Sequence, residues 1–457
     1  MAPARFQQLP ESQWRSVEQE AVRHLQHLIR IDTTNPPGNE AEACAYLASI
    51  LARDKIPFEI LESAPGRGNL VCRLRGNGSA PPLLLNAHLD VVAVEPSRWS
   101  HDPFGGEIDQ GCIWGRGALD MKNMAVMSLV SLLLVHRHKI PLRRDLVFAA
   151  VADEEAGGTF GSAWLVREHP EKVRAEICLG EIGGFSREIG GKRFYPVQIA
   201  EKGICWFKVK TAGEPGHGSV PVWNGAVARI GRAAQLLGTS GLPFHRTEEG
   251  AVFFETLAKH LPFPKAAVLR AVLHPPWSNF VLDHLFPDPS AARGLYALLH
   301  NTANPTILRA GEKVNVVPSE ASLEVDGRTL PGQTSEDLLR EVRQLLGEGY
   351  DFEVLFEMPA LSGSPTDPVL AFMERALRRW DPEAIVAPTM VPGFTDAKHY
   401  SRLGARCFGF SPVRIPGNFQ FLNLMHGHDE RIPIDGFLFG LRVLFDLVVA
   451  LCASPNG

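Results

Sequence analysis

The chain has 457 residues, 45% of them hydrophobic and 21% charged, with a formal net charge of -5. Its length exceeds one ordinary core and points to two or three domains, its apolar content excludes a disordered chain, and its balance excludes a nucleic-acid binder, since no long basic stripe accompanies it. No apolar run reaches the roughly 18 residues of a membrane span. The polar start MAPARFQQLPESQWRSVEQE lacks the apolar stretch of a signal peptide, so a soluble cytoplasmic protein with no membrane partner is expected.

In chain order, an amphipathic helix is expected over residues 11–31, ended by the turn chemistry of Thr33-Thr34-Asn35-Pro36-Pro37-Gly38, and a second helix over 40–53. Short apolar runs at 69–74, 82–87 and 146–152 read as strands, with a helix over 121–138 between the second and third. Strands alternating with helices imply an α/β domain with a buried sheet. The texture changes near Gly203. Residues 204–211 alternate apolar and polar, a helix is expected over 224–237, an irregular Pro-rich stretch runs through His300, and 320–328 alternates again. From Thr334 the α/β pattern resumes. The expected layout is an α/β domain formed by residues 1–202 and 331–457. It is interrupted by a smaller α+β domain over 203–330.

Five segments carry candidate chemistry. Leu83 to Asp90 runs a buried strand into His88, and a period of two puts His88 and Asp90 on one face; a metal-binding His gives its other ring nitrogen to such a carboxylate, while an ordinary His-Asp turn is the plainer alternative. In Gly115-Arg116-Gly117-Ala118-Leu119-Asp120-Met121-Lys122, two glycines allow a tight turn before a helix, where Asp120 could be a simple N-cap. The third glycine of a dinucleotide fingerprint is missing. Asp153-Glu154-Glu155-Ala156-Gly157-Gly158 follows a strand with three successive carboxylates, which repel one another unless solvated or bound to cations. Ile177 to Glu181 delivers a further carboxylate, and Leu424 to Glu430 offers His426 and His428. The strand-end position of His88 and of Glu154-Glu155 favours function, because open α/β sheets bind ligands there.

The seven cysteines are dispersed, with no CxxC pair. That argues against a disulfide framework or a thiolate metal site, and leaves His and carboxylates as the ligands for any metal.

The order and approximate spacing of these motifs, from about Val17 to Leu447, resemble the dinuclear zinc family of aminoacylase, succinyl-diaminopimelate desuccinylase, acetylornithine deacetylase and glutamate carboxypeptidase. The most specific pieces are Gly115 to Lys122 and Asp153 to Gly158. The resemblance implies that the α/β domain is a zinc-peptidase-like catalytic domain with a central mixed sheet, which holds two Zn2+ per chain, with Co2+ or Mn2+ as substitutes. It implies that Asp120 bridges both ions and is joined to Met121 by a cis peptide. His88 and Glu181 would complete one site, and Glu155 and His426 the other. Glu154 would be the general base and Asp90 the residue orienting His88; His428 stands where the family often has proline.

The family's inserted domain is a lid that also dimerises, so a homodimer is implied. Gly216-His217-Gly218-Ser219 resembles its lid motif, whose His, here His217, reaches the active site of the partner subunit. Asn315 and Arg328 resemble its substrate-binding pair, and Gly393 a loop that meets the substrate carboxylate through its backbone. Residues 241–306 fit the family poorly. The function implied is metal-dependent hydrolysis of an amide or peptide bond in a short peptide or N-acyl amino acid that carries a carboxylate. The alternative is a non-catalytic zinc-binding or scaffold protein that keeps the fold. No GxSxG elbow supports a serine hydrolase.

Overall fold

Trp14, Val17, Ala21, Leu25 and Leu28 recur every three or four positions, and they make Glu11–Arg30 a helix with one buried face. In the computed structural model, which describes residues 9–454 apart from Pro287, Asn418 and Gln420, this helix and Glu40–Arg53 appear where the periodicity places them. Residues 1–8 of the polar start lie outside the described residues. The chain divides into two units. One comprises residues up to Gln198, Thr366–Pro388 and Thr395 onward; the other comprises Ile199–Pro365 and Thr389–Phe394.

The first unit is built on a mixed sheet. Its strands lie in the order Phe58–Glu62, Gly68–Leu74, Leu146–Val151, Leu83–His88, Ile177–Gly180 and Arg406–Gly409, and beyond them Lys192–Glu201 and Ile385–Val391. The four from Leu146–Val151 to Arg406–Gly409 are parallel, so their carboxyl ends share one edge. Leu83–His88 and Leu146–Val151 are buried throughout, as strands covered on both faces must be. Lys122–Arg137, buried along nearly its whole length, forms the crossover between those two strands. Among the described residues no helix is long and apolar enough to cross a membrane.

In the second unit a four-stranded sheet runs in the order Thr302–Ala310, Glu320–Thr329, Gly203–Ala212 and Asp351–Met358, antiparallel throughout. Cys205, Phe207 and Val209 point to one face and pack with Ile230 and Leu237 of Ala226–Thr239 and with Leu338 and Val342 of Ser335–Leu346. This corrects the expected boundary at 330. The strand Asp351–Met358 pairs with Gly203–Ala212 and the helix Ser335–Leu346 completes the same core, so the unit runs on to Pro365. The first part of the α/β pattern that resumes at Thr334, as far as Pro365, therefore belongs to the second unit, as does the segment holding Gly393.

The stretch expected to be irregular is helical instead. It forms Glu248–His260, Lys265–Val272, Pro275–His284 and Pro289–Tyr296. Pro275 and Pro289 open two of these helices, at the position where a missing N–H costs nothing. Prolines read as breakers are here the starts of short helices.

Candidate metal centre

His88 is the last residue of its strand and is fully buried. Its Nδ1 lies 2.9 Å from the backbone oxygen of Asp90 and 3.4 Å from the Asp90 carboxylate. Asp90 therefore steadies the ring through its main chain more closely than through its side chain. The other nitrogen, Nε2, faces Asp120 Oδ1 at 3.1 Å and Glu181 Oε2 at 3.5 Å.

Asp120 arrives on a loop whose turn requires glycine. Gly117 has φ +85, and a Cβ there would lie 2.8 Å from the Val91 side chain. The helix that follows begins at Lys122 with Met121 before it and no side-chain cap, so Asp120 is not an N-cap. The Asp120–Met121 peptide is cis, as the resemblance implies. Glu430 fastens this loop from below: its carboxylate accepts the N–H groups of Leu119 at 2.7 Å and Asp120 at 3.2 Å, and pairs with Arg116 at 2.6 Å.

At the neighbouring strand end the chain turns through Asp153, at φ 70. The Asp90 carboxylate accepts the N–H of Glu154 at 3.0 Å and of Glu155 at 3.1 Å. Glu154 thereby places Oε2 3.9 Å from His88 Nε2. His426, on the distant carboxyl-terminal loop, sets Nε2 3.1 Å from Asp120 Oδ2 and 3.2 Å from Glu155 Oε2. His428, exposed like His426, makes none of these contacts. Asp120 thus stands between two histidines, one oxygen toward each.

The ligand atoms of His88, Asp120 and Glu155 lie within 4.8 Å of one another, as do those of His88, Glu154 and Glu181. Glu155 Oε1 and Glu181 Oε1 are buried with no hydrogen-bond partner. A buried carboxylate oxygen without a donor is costly unless a cation meets it, so the residues fit a metal. The electrostatics agree. Burial and the adjacent Glu181 hold Glu154 well above the usual carboxylate range, and burial pushes Glu181 up to about 8. Hydrogen bonds to Asp120 and Glu155 raise His426 to about 10. Burial opposes charge on His88, yet Glu181 and the bonds to Asp120 and Asp90 keep its pKa well above the ordinary imidazole value. Protons gather where the cluster lacks positive charge.

Of the second unit's candidates, His217 and Asn315 come together on one small ribbon. His217 pairs with Val316, and the Asn315 carbonyl accepts the N–H of Gly218 at 2.9 Å. The His217 side chain is exposed, with Nδ1 2.7 Å from Ser219 Oγ. Arg328, on Glu320–Thr329, is forked onto Asp326 through Nε at 2.6 Å and Nη2 at 3.1 Å, which leaves buried Nη1 without a partner. At Gly393 an added Cβ would meet only Val391, at 3.6 Å.

The family model described as peptidase family M20/M25/M40 matches residues 84–450. The chain belongs to this family. It is 28% identical to aminoacylase-1 of Sus scrofa over 97% of this chain and 98% of that protein. It is also 28% identical to an N-fatty-acyl-amino acid synthase/hydrolase of Homo sapiens, over 81% of this chain and 74% of the relative. Among solved structures, an M20 family metallo-carboxypeptidase from Sulfolobus solfataricus aligns with a TM-score of 0.70 at 18% identity, covering 94% of this chain and 98% of that one. The M20 chain is a hydrolase, with the α/β fold and central mixed sheet of its family.

Several residues of the M20 centre escaped the reading of the sequence. Asn35 and Arg67 stand behind Asp90 and Asp153. Asp396 accepts hydrogen bonds from Ser162 and, at 2.9 Å, from Asn86, which in turn accepts from Tyr400 at 2.8 Å. Asn35 lay in a segment whose prolines and glycine signalled only a turn, and Glu430 beside histidines that drew attention first. Nothing in the local sequence marks Arg67.

Proposed function

We propose that this M20 hydrolase cleaves the amide or peptide bond of a small substrate with a free carboxylate, an N-acyl amino acid or a short peptide, using two zinc ions. The convergence of His88, Asp120, Glu155, Glu181 and His426 around Glu154, with two buried carboxylate oxygens left without donors, carries the reading. Asp120 would hold both ions, His88 and Glu181 one, and Glu155 and His426 the other. When bound, the pair supplies Lewis-acid polarisation of the substrate carbonyl and lowers the pKa of water from 15.7 to roughly 7.

Glu154 takes a proton from the attacking water on its carboxylate and gives it to the leaving nitrogen as the C–N bond breaks. Asp90 keeps both His88 and the Glu154 backbone in place for this. His217 is the donor this reading assigns to the negative charge that develops on the amide oxygen. Asn315, Arg328 and Gly393 are assigned to substrate recognition. The planar fork of Arg328, locked by Asp326 with Nη1 unspent, supports a carboxylate as its ligand. Similarity to an aminoacylase along almost the whole chain supports the N-acyl amino acid class.

In the same reading the second unit serves as a lid and joins two chains into a homodimer. Exposed Trp206 and Phe356, in ring contact at 5.3 Å on the sheet face away from the helices, support this. Seven cysteines without a disulfide support a cytoplasmic setting.

The test is a hydrolysis screen over N-acyl amino acids and dipeptides with added zinc, each acid paired with its amide. Glu154→Gln is expected to keep two zinc equivalents while turnover falls about 10²–10⁴-fold. Turnover like that of the wild type would remove Glu154 from the mechanism, and equal rates on acid and amide would remove carboxylate recognition. Fewer than one zinc per chain would favour the non-catalytic scaffold.

A further inference from the structure

One contact removed from the candidate ligands, through Asp90 and Asp153, lies a buried arginine with an amide beside it. Arg67 donates through Nη2 to Glu40 at 2.9 Å and Asp153 at 2.8 Å, and through Nη1 to the Pro37 carbonyl at 2.9 Å. The Asn35 amide nitrogen bridges two carboxylates, Asp90 at 2.8 Å and Asp153 at 3.0 Å. Those two carboxylates set the acidic loop. Asp90 receives the N–H groups of Glu154 and Glu155, and Asp153 receives that of Phe160 at 2.9 Å.

Asn35 is itself held to the strand end that carries His88. Its N–H donates to Val91 at 2.9 Å, and Thr33 Oγ1 donates to Leu89 at 2.6 Å. Gly38 gives the guanidinium its space, because a Cβ at that position would lie 2.5 Å from Arg67 Cζ.

We propose that Arg67 and Asn35 are positioning residues for the metal centre: their joint grip on Asp90 and Asp153 fixes where Glu154 and Glu155 stand relative to His88. This rests on the metal-centre reading above. The chemistry of each residue is specific. Asn35 must be a neutral donor, because aspartate at that position would set a third carboxylate against two others at hydrogen-bond distance. Arg67 acts as a fork, because its partners sit on two separate nitrogens, the Pro37 carbonyl on Nη1 and the two carboxylates on Nη2, a spread that the single nitrogen of a lysine does not reproduce. Neither side chain belongs to the ligand cluster, so both act through the residues they hold. Partners of this kind behind a metal's ligands are typically worth about 10–100-fold in affinity or activity.

Asn35→Asp, Arg67→Lys and Arg67→Met are compared with the wild type in the full-length protein. The readouts are zinc affinity by chelator competition, the electronic spectrum of the cobalt-substituted protein, and kcat and KM on the best substrate of the screen. Expected for Asn35→Asp and Arg67→Lys are a zinc affinity weaker by about 10–100-fold, an altered cobalt spectrum, and a loss of kcat with KM nearly unchanged, since both side chains are buried and spend their hydrogen bonds on the protein. Unchanged zinc affinity, spectrum and kcat in variants that only melt earlier would overturn the proposal, because a structural role alone moves stability and nothing else. Should Arg67→Met fail to fold, the isosteric Asn35→Asp still decides the question. A wild type that binds fewer than two zinc equivalents would instead overturn the metal-centre reading, and this inference with it.

Discussion

Two histidines two positions apart, His426 and His428, present the sharpest choice that single residues offer in this chain. Both are exposed, but His426 adopts φ 57 and aims Nε2 between Asp120 and Glu155, which His428 is not seen to approach. His426→Ala should therefore remove one of two bound zinc equivalents, and His428→Ala should leave both, as counted by metal analysis after gel filtration. Equal losses in the two variants would mean that the loop holds metal in another way. At this scale the sequence was informative wherever a side chain sits at the end of a buried strand, because the strand itself announces His88, Glu154 and Glu181. It was silent on Arg67, Asn35 and Asp396, whose partners lie far along the chain: Arg67 reaches Asp153, and Asp396 reaches Asn86 and Ser162. No local pattern encodes such long-range contacts.

Among the elements, the helix Ser335–Leu346 carries the plainest local signature. Thr334 and Asp337 form a reciprocal capping box at its start, and Leu338, Leu339, Val342 and Leu346 make its buried stripe. Thr334→Ala should cost the second unit about 1 kcal/mol, and Thr334→Ser much less, as measured by denaturant unfolding. The helix was overlooked as a member of this unit because its stripe says that it packs, without saying on which sheet. The decisive contact is the pairing of Asp351–Met358 with Gly203–Ala212, a strand far away in sequence.

The helical stretch before His300 escaped for a different reason: a proline at a helix start and a proline in a loop read alike. His300 closes that stretch. Its ring is stacked on Tyr296 at 3.7 Å and bonded to the Leu242 carbonyl at 2.7 Å, and burial pushes its pKa down to about 4. The ordinary value is about 6.5, so the unfolded chain takes up this proton first as the pH falls. The stabilisation is complete above about pH 6.5 and is lost as the pH drops toward 4. The unfolding midpoint of the second unit should fall between pH 7 and 5, and His300→Gln should narrow its gap from the wild type at pH 5. A gap that widens in acid would reverse the sign of this argument.

For the molecule as a whole, the parallel strands of the first unit gather His88, Glu154, Glu155 and Glu181 at one edge, and two loops add Asp120 and His426. Cations that bind only this folded arrangement stabilise it by mass action, about 2.7 kcal/mol at a hundred times Kd. Zinc should raise the unfolding temperature of the first unit, and a chelator should lower it. No change in either direction, followed calorimetrically, would count against a metal held by these side chains. The α/β class and the split of the chain by an insertion could be read from the alternation of strands and helices, while the extent of the insertion could not.

That the cluster draws on residues from His88 to His426 also bears on how the protein is made and lost. A nascent chain lacks His426 until the segment that carries it has emerged, so a metal held by the whole cluster would seal a fold already built and could not guide an early one. Loss of such a metal would leave the carboxyl-terminal loop still tied down by Glu430, which pairs with Arg116, and by Asp429, which accepts from Ser100, so the change would fall first on the cluster's own side chains.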